Sequence, residues 1–402
     1  MEEEAALPYP SSWNELPANL LYEITRHIPC KADRVRMLAV SRSWRTSLRE
    51  PPVRPLPPQL PWLLRPSAGG PTFSCLLSGA DEDSVHRFRV PGDLRAARYF
   101  GSYDGGWLFL AYGQNLGHTL VNLCNGRRFR LPDVVPWPTK AKEFPVIMLA
   151  ATLSSPPSYT DDRCFGAAIV HCSPYMSGAR HMTFWIMGDR LARLTIHPEI
   201  VYGLSDMFYE EMEDVIYHNG AFCFLSILEN VLVCTPVLHQ GDLQIQEEWL
   251  RFFRQDDGCS DRPVALARYL VESRGQLLMV LKRKCDLAGW PPLVFSVFQM
   301  MRDQQVAVWI PVVRLEGRML FVGHGCSRCY EVDAFPGFQE GIYFLDDLHF
   351  YDVSRILRCQ EYLCHDNGKY TLGQPPVVSR CFWPDQVMSN YSSPVWLLPE
   401  AR

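Results

Sequence analysis

The densest set of soft metal donors in this chain is Cys326-x-x-Cys329 with Cys359 and Cys364-His365. Zinc takes four such ligands in a tetrahedron, and Cys-x-x-Cys is a common half-site. The second half, however, is irregularly spaced, and Cys329 lies in a strand-like CYEV context where a small buried thiol is ordinary. No metal site is expected. The acidic run Glu210-Glu211-Met212-Glu213-Asp214 reads as a solvated loop. Asp346-Asp347 follows a strand and reads as turn hydrogen bonding rather than a general acid/base pair. Gly323-His324-Gly325 lacks the third glycine and the helix of a dinucleotide site. The sequence contains no Gly-x-Ser-x-Gly elbow, no phosphate-binding Gly-x-x-x-x-Gly-Lys and no His-Glu-x-x-His. The expectation is a chain without catalytic residues or a cofactor.

Composition narrows the classes further. The 402 residues suit a small module plus a large one, and 47% hydrophobic content allows a sizeable core. A net charge of -5 argues against a general nucleic-acid binder. The basic Lys282-Arg283-Lys284 reads as a solvated strand end. The opening MEEEAALPYPSSW is acidic and has no apolar core of a signal peptide, and no apolar run is long enough to cross a bilayer. The 14 cysteines then read as reduced thiols, which places the chain in cytoplasm and/or nucleus. Asn390-Tyr391-Ser392, a formal glycosylation sequon, has no meaning there.

Three short helices are expected between residues 14 and 49. In the first, Leu16, Leu20, Leu21, Ile24 and Ile28 share one face, with Pro17 in the first turn. Asp33 is a candidate N-cap for the second, which carries Val35 and Leu38. Ser41 can cap the third, with Val40, Trp44 and Leu48 at fourfold spacing. About 35 residues bury too little to be stable alone, so such a unit should lean on a partner. The following PPVRPLPPQLPWLLRP is too rich in proline for a helix. It reads as a linker, residues 51–69, whose Leu60, Trp62, Leu63 and Leu64 pack onto the next domain.

From about residue 70 the texture is that of β-structure. HTLVNLCNGRRFRLP reads as strand, Asn-Gly turn, strand. DVIYHNGAFCFLSI, YLVESRGQLLMVLK, VVRLEGRMLFVG and YFGSYDGGWLFLA each read as strand, glycine turn, strand. Their spacing fits a repeat of roughly 45 to 55 residues. The fold class expected is a multidomain α+β chain: a trihelical N-terminus over residues 10–50, then a large all-β domain over 70–402. A β-propeller of six or seven blades is favoured over a sandwich or barrel.

Leu16-Pro17, Leu21, Ile24, Asp33-Arg34-Val35-Arg36 and Val40-Ser41-Arg42-Ser43-Trp44-Arg45 resemble the F-box, the family that docks on Skp1-type adaptors of cullin–RING ubiquitin ligases. Ser41 stands where many F-boxes carry Cys. Further on, Gly325-Cys326-Ser327, the Val332–Phe338 phrase VDAFPGF and the Gly341–Asp347 phrase GIYFLDD are similar to a plant family. Its members join an F-box to a β-rich domain of unknown function 295. VNLCNGRRFRLP and PPQLPWLLRP fit the same family.

The resemblance implies a substrate-receptor subunit of an SCF-type ligase, non-catalytic, with a Skp1-type adaptor, a cullin and a RING protein as partners. The β domain would hold an unidentified target protein. The adaptor-facing candidates are Leu16, Pro17, Leu20, Leu21, Ile24, Val35, Leu38, Val40 and Trp44, with Trp44 also a candidate for holding the module together. Trp107, Tyr209 and Trp290 read as blade packing ahead of target contacts. The alternatives are a binding scaffold without a ubiquitin role, or a small-molecule-binding propeller with a vestigial F-box.

Overall fold

The computed structural model describes residues 13–48, 56–67, 69–78, 85–86, 90–113, 115–136, 143–157, 164–172, 180–189, 192–195, 210–253, 265–285, 291–302, 307–347, 352–358, 367–373, 375–381 and 392–399. Tyr209, Trp290, Cys359, Cys364, His365 and Asn390 lie outside them.

Two-residue turns set the frame. Asn219-Gly220 (φ 48° and 84°) and Arg274-Gly275 (φ 54° and 75°) adopt the paired left-handed conformation that matches strand twist. They join Met212–His218 to Ala221–Ser226 and Ala265–Ser273 to Gln276–Lys284. Arg98–Tyr103 pairs with Trp107–Ala111 through the three-residue loop Asp104-Gly105-Gly106, and His118–Asn122 with Arg128–Arg130 through a five-residue loop holding Asn125-Gly126. These four hairpins are the ones expected from sequence.

VVRLEGRMLFVG differs. Its first strand, Ala307–Val312, belongs to one sheet and its second, Arg318–Phe321, to the next, so Glu316-Gly317 is a crossover between sheets and not a hairpin.

The described strands form six sheets of four or five strands, arranged as a six-bladed β-propeller preceded by helices; blades 1 to 6 are those containing Trp62–Arg65, Arg98–Tyr103, Glu143–Leu153, Met212–His218, Ala265–Ser273 and Arg318–Phe321 in turn. The innermost strands are packed without alternation, because both faces are covered by neighbouring blades. All six residues of Arg98–Tyr103, and Val146 to Leu153 of Glu143–Leu153, are buried. Outer strands alternate or turn polar, as in Asp242–Leu250, where Leu243 faces inward among exposed Asp242, Gln244 and Glu247.

Closure of the ring joins chain ends. Trp62–Arg65 pairs on one side with Thr72–Cys75 and on the other with the C-terminal Val395–Leu397. The propeller therefore starts within the stretch expected to be a linker.

The helices are α1 (Ala18–His27), α2 (Lys31–Val40) and α3 (Arg42–Ser47). Pro17 is the N-cap of α1, and the Ser41 hydroxyl accepts the Trp44 N–H at 3.1 Å, capping α3. Asp33 is not the cap of α2; Cys30 takes that position and Asp33 lies in the first turn. No helix among the described residues is long and apolar enough to cross a membrane.

Candidate functional site

The helical module is tethered to blade 1 through one end of α2. The Gln59 side chain accepts the Lys31 N–H (2.8 Å) and donates to the Pro29 carbonyl (2.7 Å). Arg34, buried, donates to the Ile28 carbonyl at 3.0 Å and to Pro57 at 3.4 Å. Cys30 and Ala32 pack against Cys75, Trp62 and Leu77 of the first blade. A crevice of about 460 Å3 runs along this seam, lined by Ala32 and Val35 of α2 and by Trp62, Phe73, Cys124 and Leu398 of the propeller.

The adaptor-facing candidates divide by exposure. Leu20 (45%), Val35 (56%) and Val40 (67%) present large apolar side chains to solvent, and Pro17 is exposed too. Leu16, Ile24, Leu38 and Trp44 are half-buried. Leu21 is wholly buried (0%), so it belongs to the interior of the module and is corrected from a contact residue to a packing residue. Trp44 donates its indole N–H to the Trp13 carbonyl at 2.8 Å, which fastens the entry of the chain to α3.

At the same seam lies a cluster that sequence reading missed. Cys30, Cys75 and His86 are buried, with one donor atom from each all within 4.8 Å of one another. Cys30 Sγ stands 3.4 Å from His86 Nε2, which also meets the Ser78 hydroxyl at 3.3 Å. Ser78 in turn donates to Asp33 at 3.1 Å. The Cys75 thiol hydrogen bond, against the cost of burial and with help from His86 and Ser78, pulls the Cys30 thiol down, while the same contact and burial push Cys75 up. The three residues are 45 and 11 positions apart, with no motif to signal them.

The centre of the propeller is filled by protein. The turn Gly323-His324-Gly325-Cys326 reaches across from blade 6 until Gly325 meets blade 3; a Cβ there would stand 2.6 Å from the Ala151 carbonyl oxygen. Around it sits a buried ionic network. Asp214 accepts the N–H groups of Leu270 (2.7 Å), Gly325 (2.7 Å) and Val215 (2.8 Å). Asp347 accepts the Tyr269 hydroxyl at 2.7 Å and pairs with His324 at 3.1 Å, with Lys282 Nζ 3.9 Å away.

Burial pushes Asp214 up to about 7, against the pull of His324 and the three N–H groups. Burial also opposes charge on His324, but Asp347, Asp214 and Glu213 outweigh it and raise its pKa. Asp347 is held low by His324, Lys282 and Tyr269 despite its burial.

Three sequence expectations change here. Glu213 and Asp214 are buried strand residues, not a solvated loop; Glu210 and Glu211, flanking them, hold Arg251 and Arg180. Asp347 is an interior ion-pair member, not a turn residue. Lys282 is fully buried and donates to the Leu345 carbonyl at 3.1 Å. Asp214, Lys282, His324 and Asp347 are all buried, and the network ties blades together.

One mouth of the ring forms a shallow funnel of about 140 Å3 lined by Tyr103, Asp104, Tyr217, Glu272 and Arg328. The Arg328 guanidinium forks onto Asp104 at 3.0 and 3.1 Å. Trp107 is a packing residue, buried with its ring 5.6 Å from that of Phe129. Cys326 is buried in the central turn, and Cys329 is half-buried in the strand Arg328–Glu331.

No curated protein matches the chain. Among solved structures it is similar to the N-terminal domain of Nup159 (10% identity, 63% of this chain and 59% of that one, TM-score 0.32). It is also similar to a chain of the S. cerevisiae complex of Dbp5 with Nup159, Gle1, IP6 and ADP (9%, 62% and 57%, 0.32). A third is the Malassezia sympodialis allergen Mala s 1 (9%, 76% and 96%, 0.27). The chain spans less than two thirds of the first two, and likenesses this distant bear on nothing beyond themselves. A family model described as the KIB1-4 beta-propeller matches residues 73–369, more than half of the sequence. By this match, and by the six-bladed ring it coincides with, the chain belongs to the KIB1-4 β-propeller family.

Proposed function

We propose that this protein is the substrate-receptor subunit of an SCF-type ubiquitin ligase, with α1–α3 as an F-box that docks a Skp1-type adaptor and the propeller as the holder of a target protein. The observation that carries the reading is the exposure of Leu20 and Val40 on a small helical module that uses other residues, Cys30 and Ala32, to contact blade 1; Val35, also exposed, lines the crevice at that seam. A fully buried Leu or Val contributes roughly 1.5 to 3 kcal/mol, so a few such side chains can dominate a docking interface. The F-box-like phrases of the N-terminus and the C-terminal resemblance to domain of unknown function 295 support the same reading.

The chain itself is non-catalytic in this account. It raises the effective concentration of target lysines near the ubiquitin-carrying enzyme bound by the RING protein. Its place of action is the cytoplasm or nucleus. The funnel at Tyr103, Tyr217, Glu272 and Arg328 is the concave surface we assign to the target, with loops around it to set specificity. Purification of the full chain from cells tests the assembly: co-purification of adaptor and cullin supports it, and a folded chain that brings down neither overturns it.

A further inference from the structure

The seam between α2 and blade 1 holds three soft donors from three separate segments: the N-cap of α2, the end of Thr72–Cys75 and the strand Val85–His86. We propose that Cys30, Cys75 and His86 form a binding site for a thiophilic divalent cation, zinc by ligand type, that clasps the helical module to the propeller.

The spacing fits. Zinc–sulfur and zinc–nitrogen bonds of about 2.3 and 2.05 Å at the tetrahedral angle place the two donor atoms about 3.6 Å apart. Cys30 Sγ and His86 Nε2 are 3.4 Å apart. Two zinc-bound sulfurs would be about 3.8 Å apart, below the 4.8 Å that bounds every distance between the three donors. The fourth position falls to water or to Asp33, whose carboxylate is joined to this cluster through Ser78. Once the metal holds His86 Nε2, Ser78 is left to bond Asp33.

The surroundings suit a structural ion. The three residues are buried beside Trp62, whose ring lies 5.6 Å from that of His86, so bulk solvent is kept away. Paired thiolates and a neutral imidazole are the ligand forms that zinc selects over harder cations. The role also answers a need of the fold. The module is too small for a full core of its own, and metal binding supplies free energy to folding directly. The clasp would fix the angle at which α1–α3 leave the propeller.

The test uses the full chain, purified without chelator. Metal analysis should find about one zinc per chain, retained in a Cys124→Ser control and lost in Cys75→Ser and His86→Ala. Cobalt added to the metal-stripped wild type should give a thiolate-to-cobalt charge-transfer absorption. Zinc should raise its melting temperature, as any ligand specific for the folded state must. The wild-type cobalt and zinc titrations decide the matter even where a variant does not fold. A folded wild type that takes up neither metal overturns the site, as does a Cys30–Cys75 disulfide that persists in the fresh protein without zinc.

Discussion

The Asp214 carboxylate accepts the Gly325 N–H at 2.7 Å, joining the innermost strand of blade 4 to the turn that fills the propeller axis. The same carboxylate takes the Leu270 N–H of blade 5. One side chain therefore fixes three elements that are far apart in sequence.

Replacing Asp214 by Asn should destabilise the chain by about 1 to 3 kcal/mol for each buried N–H left without an acceptor. The amide has one oxygen where the carboxylate has two, and turns an NH2 toward N–H groups. Gly325→Ala should cost about 2 kcal/mol or more, since its φ of +71° is a left-handed conformation and the new Cβ would strike Ala151 backbone. Thermal melts of the two variants check both values; a wild-type melting temperature in either contradicts the lock.

The network also sets a pH dependence. His324 has a raised pKa in the folded chain, so its contribution is complete below its unfolded pKa and is lost as pH rises through the folded one. Asp214, pushed up to about 7, works in the same direction: the fold prefers its protonated form, and that preference is lost from the ordinary carboxylate range up to about 7. Asp347 acts oppositely and only at the acid end, where its lowered pKa is crossed. The melting temperature should fall as pH rises from the ordinary carboxylate range through about 7, where Asp214 titrates, and go on falling above the ordinary histidine range as His324 loses its proton. A His324→Gln variant should show a flatter profile over that range; an unchanged slope would remove the network from the account.

Ring closure depends on Trp396. It is fully buried, donates its indole N–H to the Val322 carbonyl at 2.8 Å and meets the Phe321 ring edge-on at 5.1 Å. Trp396→Ala should cost about 3 to 5 kcal/mol, read by denaturant unfolding. A loss under about 1 kcal/mol would show that the C-terminal strand does not seal the ring.

The hairpins were legible in the sequence because Asn219-Gly220 and Arg274-Gly275 announce a conformation few other pairs adopt. Glu316-Gly317 uses the same chemistry for a crossover, and local sequence does not say which sheet the next strand joins. The C-terminal strand Val395–Leu397 pairs with Trp62–Arg65, more than 300 residues away, a partnership that only the closed ring creates. The helix Val353–Leu357 between two strands of blade 6, with Ile356 buried, is too short to carry a periodic signal. In the module, helix periodicity identified the apolar positions but not their division, so Leu21 in the interior and Leu20 in solvent looked alike. The Cys30, Cys75 and His86 cluster was illegible because its members meet only when α2 docks on blade 1.

The docking claim is tested most directly on the residues that packing does not need. Leu20→Glu and Val40→Glu replace exposed side chains, so each should leave folding within about 0.5 kcal/mol of wild type. Co-expressed with a Skp1-type adaptor, the wild-type chain should retain the adaptor in a pull-down, and the double variant, with an unchanged melting temperature, should lose it. Equal retention by both, or no retention by a folded wild type, would contradict the account.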